Sequence, residues 1–365
     1  MSTLDRYLLR EITVPLCVGL GLFVVVLIFA QVLTIADAIT GLGISATDLL
    51  RALLYSMPPL LGLLLPVSLL FATLLAIGRW STDRELIAMS ASGVSPYGLL
   101  RVPVALAVVL GTISGFSMAY GEAWGIRGLR TLMSKSAQRS IASGIRPGEF
   151  NEWIPDVTFM AKEKEGDLLR EVIFADLRDE DRPLVVSAKE GTVKVGEAAR
   201  DIVFDLRDGS IVIRDKGNEG QRIVRFEESL YRLDIDRLVR NKGRNLSRVQ
   251  EKSLWELARE SKTHPELHIR AQYTVVMHRR FAIPMATLIF AVLAVPLAAG
   301  GGGAARARGF LLSAVIVGGY YYVGRVAELS ARAGKFDAVL AAWLPNLIGL
   351  ALAAVMLYRL RRRAV

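Results

Sequence analysis

The sequence predicts an α-helical membrane protein with six transmembrane helices, arranged three plus three around an inserted all-β domain. Three observations support this fold class. The 365 residues have a mean hydropathy of +0.39, which is too apolar for an ordinary soluble protein. Charged residues number 12 among the first 120 residues, 57 among the next 160 and 11 among the last 85. The middle block also alternates short apolar segments with turn residues, as β-domains do.

Six stretches are long and apolar enough to cross a bilayer as helices, which requires about 20 residues. They predict three parts of the chain: residues 1–120, 121–268 and 269–365. Pro58, Pro59 and Pro66 fall inside the second stretch, so a neighbouring helix is expected to satisfy the carbonyls that these prolines leave free. The stretches are Val14–Ile35, Leu53–Ile77, Val102–Tyr120, Phe281–Ala299, Phe310–Val326 and Val339–Tyr358.

A cleaved signal peptide is the alternative interpretation of the N-terminus, because Arg6 and Arg10 precede the first apolar stretch. That stretch is longer than the apolar region of a signal peptide, which spans about 7–15 residues. A membrane span is therefore the favoured interpretation.

The lysines and arginines of the short loops predict the orientation of the chain. Eleven of them lie on the side that carries both termini, and four lie on the other side. Because positively charged loops stay in the cytoplasm, both termini are predicted to be cytoplasmic and the middle block to lie outside. Four arginines run against this count, since they flank the outer ends of the third and fourth spans: Arg127, Arg130, Arg279 and Arg280.

The alternating segments between about residues 151 and 236 predict an all-β sandwich or jelly-roll-like domain. Asp208-Gly209 lies between two of these segments and predicts a tight hairpin turn. Helical connectors are expected on both sides of the domain, and Ser253 is the expected N-cap of the second one. Candidate inward-facing side chains are Val172, Phe174, Val203, Ile211, Ile213 and Phe226.

The chain carries no recognisable enzyme motif. HExxH and G-x-S-x-G are absent, and Gly300–Gly303 is followed by Ala-Ala-Arg instead of the Lys-Ser/Thr of a Walker A loop. We therefore expect a non-enzymatic protein without a metal or cofactor of its own. Cys17 stands alone, so no intrachain disulfide can form. The basic excess flanks the membrane spans, and this placement argues against a nucleic-acid partner.

Four patches of sequence carry a resemblance to a known family. They are the residues DRYLLRE at 5–11, the segment from LPVSLL at 65–70 to SGVS at 92–95, HRRFAIP at 278–284 with VPL at 295–297, and AWLPN at 342–346. Together they resemble the permease subunits of the lipopolysaccharide-export ABC transporter, the LptF/LptG (YjgP/YjgQ) family. The resemblance covers essentially the whole chain. Ser90 departs from the pattern, because relatives often carry a larger polar or basic residue there.

The resemblance implies a set of partners in the bacterial inner membrane. A second permease of the same family would pair with this chain, and a dimeric cytoplasmic ATPase would bind the ATP. Lipopolysaccharide would enter from the outer leaflet and pass to the periplasmic β-domain. From there it would move to a single-span β-jelly-roll protein and a soluble β-jelly-roll bridge. Both the F-type and the G-type permease remain alternatives, and Gln31 favours the F-type.

Three groups of candidate site residues fit this picture. A coupling helix within residues 79–95 would dock onto the ATPase through Asp83, Arg84, Glu85, Leu86 and Met89. Outer arginines would bind lipid phosphates, or else reach towards bulk headgroups: Arg127, Arg130, Arg279, Arg280 and Arg325. A lateral gate would use Gln31, Gly318, Gly319 and Tyr321, although the tyrosines of the fifth span also fit an interfacial aromatic belt.

The sequence is compatible with two further functions. The chain could be a permease for another lipid or lipoprotein, which bound lipid would reveal. It could also be a membrane-anchored periplasmic scaffold without transport, which would have no use for a docking helix around Glu85. Inside the β-domain, the inward residues would either line an open lumen for acyl chains or fill a packed core.

Overall fold

The computed structural model describes residues 3–39, 45–93, 95–144, 147–154, 157–166, 168–177, 183–195, 201–214, 221–234, 249–299 and 305–363. The chain divides into two compact units. The helical unit comprises Met1–Ala30, Leu54–Ile126 and Ser247–Val365. The β unit comprises Gln31–Leu53 and Arg127–Leu246.

Long helices form the first and last parts of the described chain, as predicted. Five helical segments of the described residues are long and apolar enough to cross a membrane. The fifth predicted span falls in a further helix of 28 residues, Ala305–Arg332, so the number of crossings stays a prediction. The helices are α1 (Thr3–Ile39), α2 (Ala46–Thr82), α3 (Glu85–Ala91), a 3₁₀ turn (Pro96–Leu100), α4 (Arg101–Phe116), a π turn (Ser117–Gly121), α5 (Glu122–Gly144), α6 (Leu254–Thr263), α7 (Leu267–Ala299), α8 (Ala305–Arg332) and α9 (Ala338–Arg363).

Pro66 of α2 is accommodated by a hydrogen bond from α4. Pro66 has no N–H, so the carbonyl of Gly62 four residues earlier lacks its helical partner. The Ser114 hydroxyl donates to this carbonyl at 2.7 Å. The expected rescue by a neighbouring helix is therefore confirmed at Pro66. Gly125 allows the start of α5 to approach α2 closely, since a Cβ there would lie 2.1 Å from the carbonyl oxygen of Tyr55.

The β unit contains a six-stranded antiparallel sheet, which confirms the inserted all-β domain. Each strand pairs with the next one along the chain, so the described strands form a meander. The side chains on the apolar face of the sheet pack against one another. The ring centroid of Phe174 lies 4.9 Å from that of Phe204 and 4.7 Å from that of Tyr231. The strands are β1 (Asn151–Ile154), β2 (Val157–Glu165), β3 (Leu168–Asp176), β4 (Leu184–Val195), β5 (Asp201–Arg214) and β6 (Gln221–Asp234).

The predicted hairpin at Asp208-Gly209 is wrong, because β5 runs through both residues as one continuous strand. Asp208 does have a positive φ of 52°, as a turn residue would, and Glu171 on β3 has a φ of 49°. The two residues lie in one row across the sheet. The ladder omits the pairs of this row, and the pairs on either side of it place Lys189 of β4 between Glu171 and Asp208, Lys162 opposite Glu171, and Glu227 opposite Asp208.

We call this row the crease. Beyond it, the alternation of inward-facing and outward-facing side chains along a strand is reversed. On β3, Leu169 and Val172 are both buried although they are three residues apart, which strict alternation forbids. On β5 the core contains Phe204 and Leu206 on one side of the crease and contacts Ile211 on the other. The positive φ of Asp208 therefore reverses the alternation within one strand, and no chain reversal is needed.

The inward-facing candidates of the sheet divide into two groups. Val172 and Phe174 are buried in the core, and Ile211 and Phe226 pack against it. Val203 does not belong to this core, because its neighbour Phe204 occupies the inner position and successive side chains face opposite sides. Ile213 is half-buried at the end of β5. The described part of the apolar face is thus a packed core.

The second helical connector forms as expected but in two pieces. Ser253 caps α6: its hydroxyl accepts from the Glu256 N–H, and the Glu256 carboxylate accepts from the Ser253 N–H. Pro265 then separates α6 from α7. The first connector, α5, continues from the end of the third predicted span.

Candidate functional site

Helix α3 is held on the helical unit by its apolar side chains. Leu86 and Met89 pack against the large core that contains Leu8, Leu70 and Trp80. This assignment differs from the expectation that both side chains face a partner protein. They anchor α3 to its own chain, so the surface available to a partner is the opposite face of α3.

A polar and aromatic network supports the start of α3. The guanidinium of Arg79 lies 3.1 Å from the Glu11 carboxylate and 3.7 Å from Asp83. Arg79 also donates to the Tyr7 hydroxyl at 3.4 Å, and that hydroxyl donates to Glu85 at 3.4 Å. The Tyr7 ring stacks on the buried ring of Trp80 at a centroid distance of 5.2 Å. The N-terminus of α1 and the end of α2 therefore fix the position of α3 jointly.

The free face of α3 is apolar at its centre and charged at its start. Ile87 is 67% exposed, which is unusual for an isoleucine on a short helix. Asp83 and Arg84 are exposed beside it. Arg84 adopts a φ of 59° and its carbonyl accepts from the N–H groups of Ile87 and Ala88, so it forms the turn that starts α3. Such a face fits a shallow apolar pocket with a polar rim on a soluble protein.

The outer arginines of α7 are bound by one carboxylate. Arg280 is fully buried, and its Nε donates to Glu122 at 2.9 Å. Its two terminal nitrogens donate to the carbonyls of Lys252 at 2.9 Å and Gln250 at 2.7 Å. Arg279 donates to the other oxygen of Glu122 at 3.3 Å. In this state the guanidinium of Arg280 is enclosed by protein groups and does not reach a lipid surface.

The remaining outer arginines have more accessible side chains. The side chain of Arg325 is 60% exposed and lies 3.5 Å from Glu328 on its own helix, α8. Arg127 is exposed and Arg130 is half-buried on α5, in the part of that helix that belongs to the β unit. These three arginines remain candidates for contact with lipid phosphate.

Glu122 is the residue that sequence reasoning missed. It precedes Arg280 by 158 positions and is 3% exposed at the start of α5. A single acidic residue next to an apolar span was the available signal, because a carboxylate at that depth requires a cationic partner.

The residues expected to form a lateral gate lie in different surroundings. The Tyr321 hydroxyl donates to the Leu63 carbonyl of α2 at 3.5 Å, so this ring points into the helical unit. Gly318 and Gly319 face open space, since a Cβ at either would meet no atom within 4 Å. Gln31 is buried on α1, in the part that belongs to the β unit. The gate therefore stays a prediction.

Polar side chains outside the predicted sites join α7, α8 and α9. The Tyr320 hydroxyl donates to Asn346 at 2.9 Å, and the Asn346 amide donates to the Ala282 carbonyl at 2.8 Å. Across the described residues, no group of three or more His, Cys, Asp and Glu side chains is placed to hold a metal ion.

Comparison with known proteins identifies the family. The sequence profile of the lipopolysaccharide export system permease LptF/LptG matches residues 6–359. LptF of Escherichia coli (strain K12) is 23% identical over 364 residues, which cover 96% of this chain and 93% of that protein, and LptF of Shigella flexneri gives the same values. An uncharacterised protein of Rickettsia prowazekii (strain Madrid E) is 27% identical over 173 residues, 46% of each chain. Since the profile spans nearly the whole chain, the chain belongs to the lipopolysaccharide export system permease LptF/LptG family.

Proposed function

We propose that this chain is one of the two permease subunits of an ABC transporter that extracts lipopolysaccharide from the outer leaflet of the inner membrane. The permease passes the lipid to its periplasmic β-domain and on to the β-jelly-roll bridge. A separate cytoplasmic ATPase dimer supplies the energy. Family membership supports the export role, and similarity to LptF over 96% of the chain supports the F-type subunit.

The anchored helix α3 carries the proposal. Its inner side chains belong to the core, its start is fixed by the Arg79–Glu11–Tyr7 network, and Ile87 is left on the surface. A helix mounted in this way transmits force from a partner to α1 and α2, because its attachment is rigid. A membrane-anchored scaffold that is not driven by an ATPase would have no use for α3.

Co-purification tests the proposal. The tagged chain is expressed with the candidate second permease and ATPase, and the three proteins are expected to elute together. Ile87→Arg places a charge in the proposed contact without disturbing the core, so we expect the ATPase to be lost while the second permease remains. Glu85→Arg should act in the same direction.

The matched control is Glu165→Arg, which makes the same substitution as Glu85→Arg at a side chain of the β-domain that is 66% exposed. This variant should retain all three proteins. If the wild-type chain brings down no ATPase, or if Ile87→Arg and Glu165→Arg behave alike, the role of α3 is refuted. Mass spectrometry of the lipid that co-elutes distinguishes lipopolysaccharide from another exported lipid or lipoprotein.

A further inference from the structure

The outward face of α6 combines an aromatic side chain with two cations. Trp255, Arg259 and Lys262 are spaced four and three residues apart, so they lie on one face of the helix. Trp255 is 82% exposed, although tryptophan is on average a highly buried residue. Arg259 and Lys262 are also exposed, and neither forms a salt bridge within 4 Å with a residue that the structure describes, although Arg259 attracts the neighbouring Glu260 carboxylate electrostatically.

The acidic residues of α6 are engaged within the connector. The Glu256 carboxylate accepts from the Ser253 N–H at 2.6 Å as part of the helix cap. Glu260 pairs with the Lys252 ammonium at 2.8 Å, and this hydrogen bond lowers the pKa of Glu260. The sequence of α6 contains as many acids as bases. In the folded connector the two basic side chains are exposed and the two acidic side chains are engaged in hydrogen bonds, so the exposed face of α6 is cationic.

Helix α6 is fixed at the end of the fourth span. Leu257 packs with Tyr273 and Val276 of α7, and the Arg280 guanidinium bonds the carbonyl of Lys252 just before α6. Tyr273 and Val276 precede the predicted start of the span, Phe281, by less than three turns of α7, which is roughly 7–12 Å along the axis. The headgroup layer extends roughly 5–7 Å beyond the hydrocarbon, so the side chains of α6 are within its reach.

We propose that this face of α6 rests on the membrane surface and binds the anionic phosphate headgroups of the lipids there. Tryptophan prefers the boundary between water and hydrocarbon, and arginine and lysine bind phosphate. A helix with aromatic and basic residues on one face is the pattern of an interfacial helix. The proposed function enters this inference only by assigning α6 to the periplasmic side of the membrane.

Spin-label accessibility in nanodiscs tests the inference on the full chain alone. The label is attached at Thr263→Cys in a Cys17→Ser background, which leaves Trp255, Arg259 and Lys262 intact. One set of nanodiscs contains phosphatidylglycerol and the other only phosphatidylcholine. Two reference labels are used, Glu165→Cys on the β-domain and Leu350→Cys in α9, whose side chains are 66% and 56% exposed.

In phosphatidylglycerol nanodiscs we expect the Thr263 label to be several-fold less accessible to a water-soluble relaxant than the Glu165 label. The double variant Arg259→Glu/Lys262→Glu should abolish this protection, and Arg259→Lys should retain it. Phosphatidylcholine should give weaker protection, because the electrostatic attraction to anionic lipid is absent.

Equal accessibility of the Thr263 and Glu165 labels in phosphatidylglycerol would overturn the inference, and a protein partner for this face would then be the remaining explanation. Protection that survives the double charge reversal would overturn it as well, because the cations would then have no role. The Leu350 label separates this failure from that of the proposed function. If that label meets lipid-soluble oxygen, the span exists and only the inference fails; if it does not, the membrane permease itself is refuted.

Discussion

Among the described residues of the helical unit, Arg280 has the most completely buried charged side chain. Burying an ion is costly unless a counter-charge and hydrogen bonds replace the water that it loses. Glu122 supplies the counter-charge, and the carbonyls of Gln250 and Lys252 supply the hydrogen bonds. The pair therefore joins α5, which precedes the β-strands, to the connector and α7, which follow them.

Glu122→Gln should destabilise the chain strongly, because it leaves the buried Arg280 without a counter-charge. Removing one partner of such a pair costs about 3–5 kcal/mol. We expect a clear drop in the thermal unfolding temperature of the purified chain in detergent. The matched control, Glu165→Gln, removes an exposed carboxylate and should change the stability by less than about 1 kcal/mol. Equal unfolding temperatures for the two variants would show that Glu122 does not compensate the charge of Arg280.

At the scale of whole elements, the crease across the β-sheet is the feature with the clearest energetic signature. Its residues Glu171 and Asp208 hold positive φ values inside continuous strands, a conformation that costs an ordinary L-residue about 1–2 kcal/mol. Aspartate tolerates this region better than most residues, whereas β-branched side chains do not. The charged side chains of the row add exposed ion pairs, Lys162 with Glu171 and Lys189 with Asp208.

Asp208→Val should therefore weaken β5 locally, by about 1–2 kcal/mol. Hydrogen–deuterium exchange of the full chain should show faster exchange in β5 and its neighbours β4 and β6, with the helices unchanged. Arg207→Val is the control, since it introduces the same side chain at an adjacent exposed position without a positive φ. Slower or equal exchange in Asp208→Val would mean that the crease imposes no strain.

The sequence predicts elements better than it predicts contacts between distant residues. Apolar stretches located the helices because each is a local pattern about 20 residues long. Asp208-Gly209 was misinterpreted as a hairpin because a turn and a crease share the same local requirement, a positive φ. Only the pairing of β5 with β4 and β6 on both sides of Asp208 distinguishes them. Charge counting likewise assigned Arg280 to lipid, since its partner Glu122 lies 158 positions away.

At the scale of the whole molecule, the helices of the described chain differ sharply in how much of their surface the chain itself covers. The apolar windows of the α2 and α7 spans are 67% and 61% buried, so these helices form the centre of the helical unit. Those of the α1 and α9 spans are only 17% and 22% buried. Their exposed side chains, such as Val18, Phe29 and Leu350, require an apolar environment around them.

The basic residues of the short loops predict which side of the membrane each unit occupies. Eleven lysines and arginines lie in the loops on the side of the termini and four in the other short loops, so α3 and the C-terminus should be cytoplasmic and the β-domain periplasmic. In a Cys17→Ser background, a membrane-impermeant thiol reagent should label Glu165→Cys in intact cells with a permeabilised outer membrane. It should label Ile87→Cys and Arg362→Cys only after the inner membrane is opened. Labelling in the reverse order would invert the topology and remove α3 from the reach of a cytoplasmic ATPase.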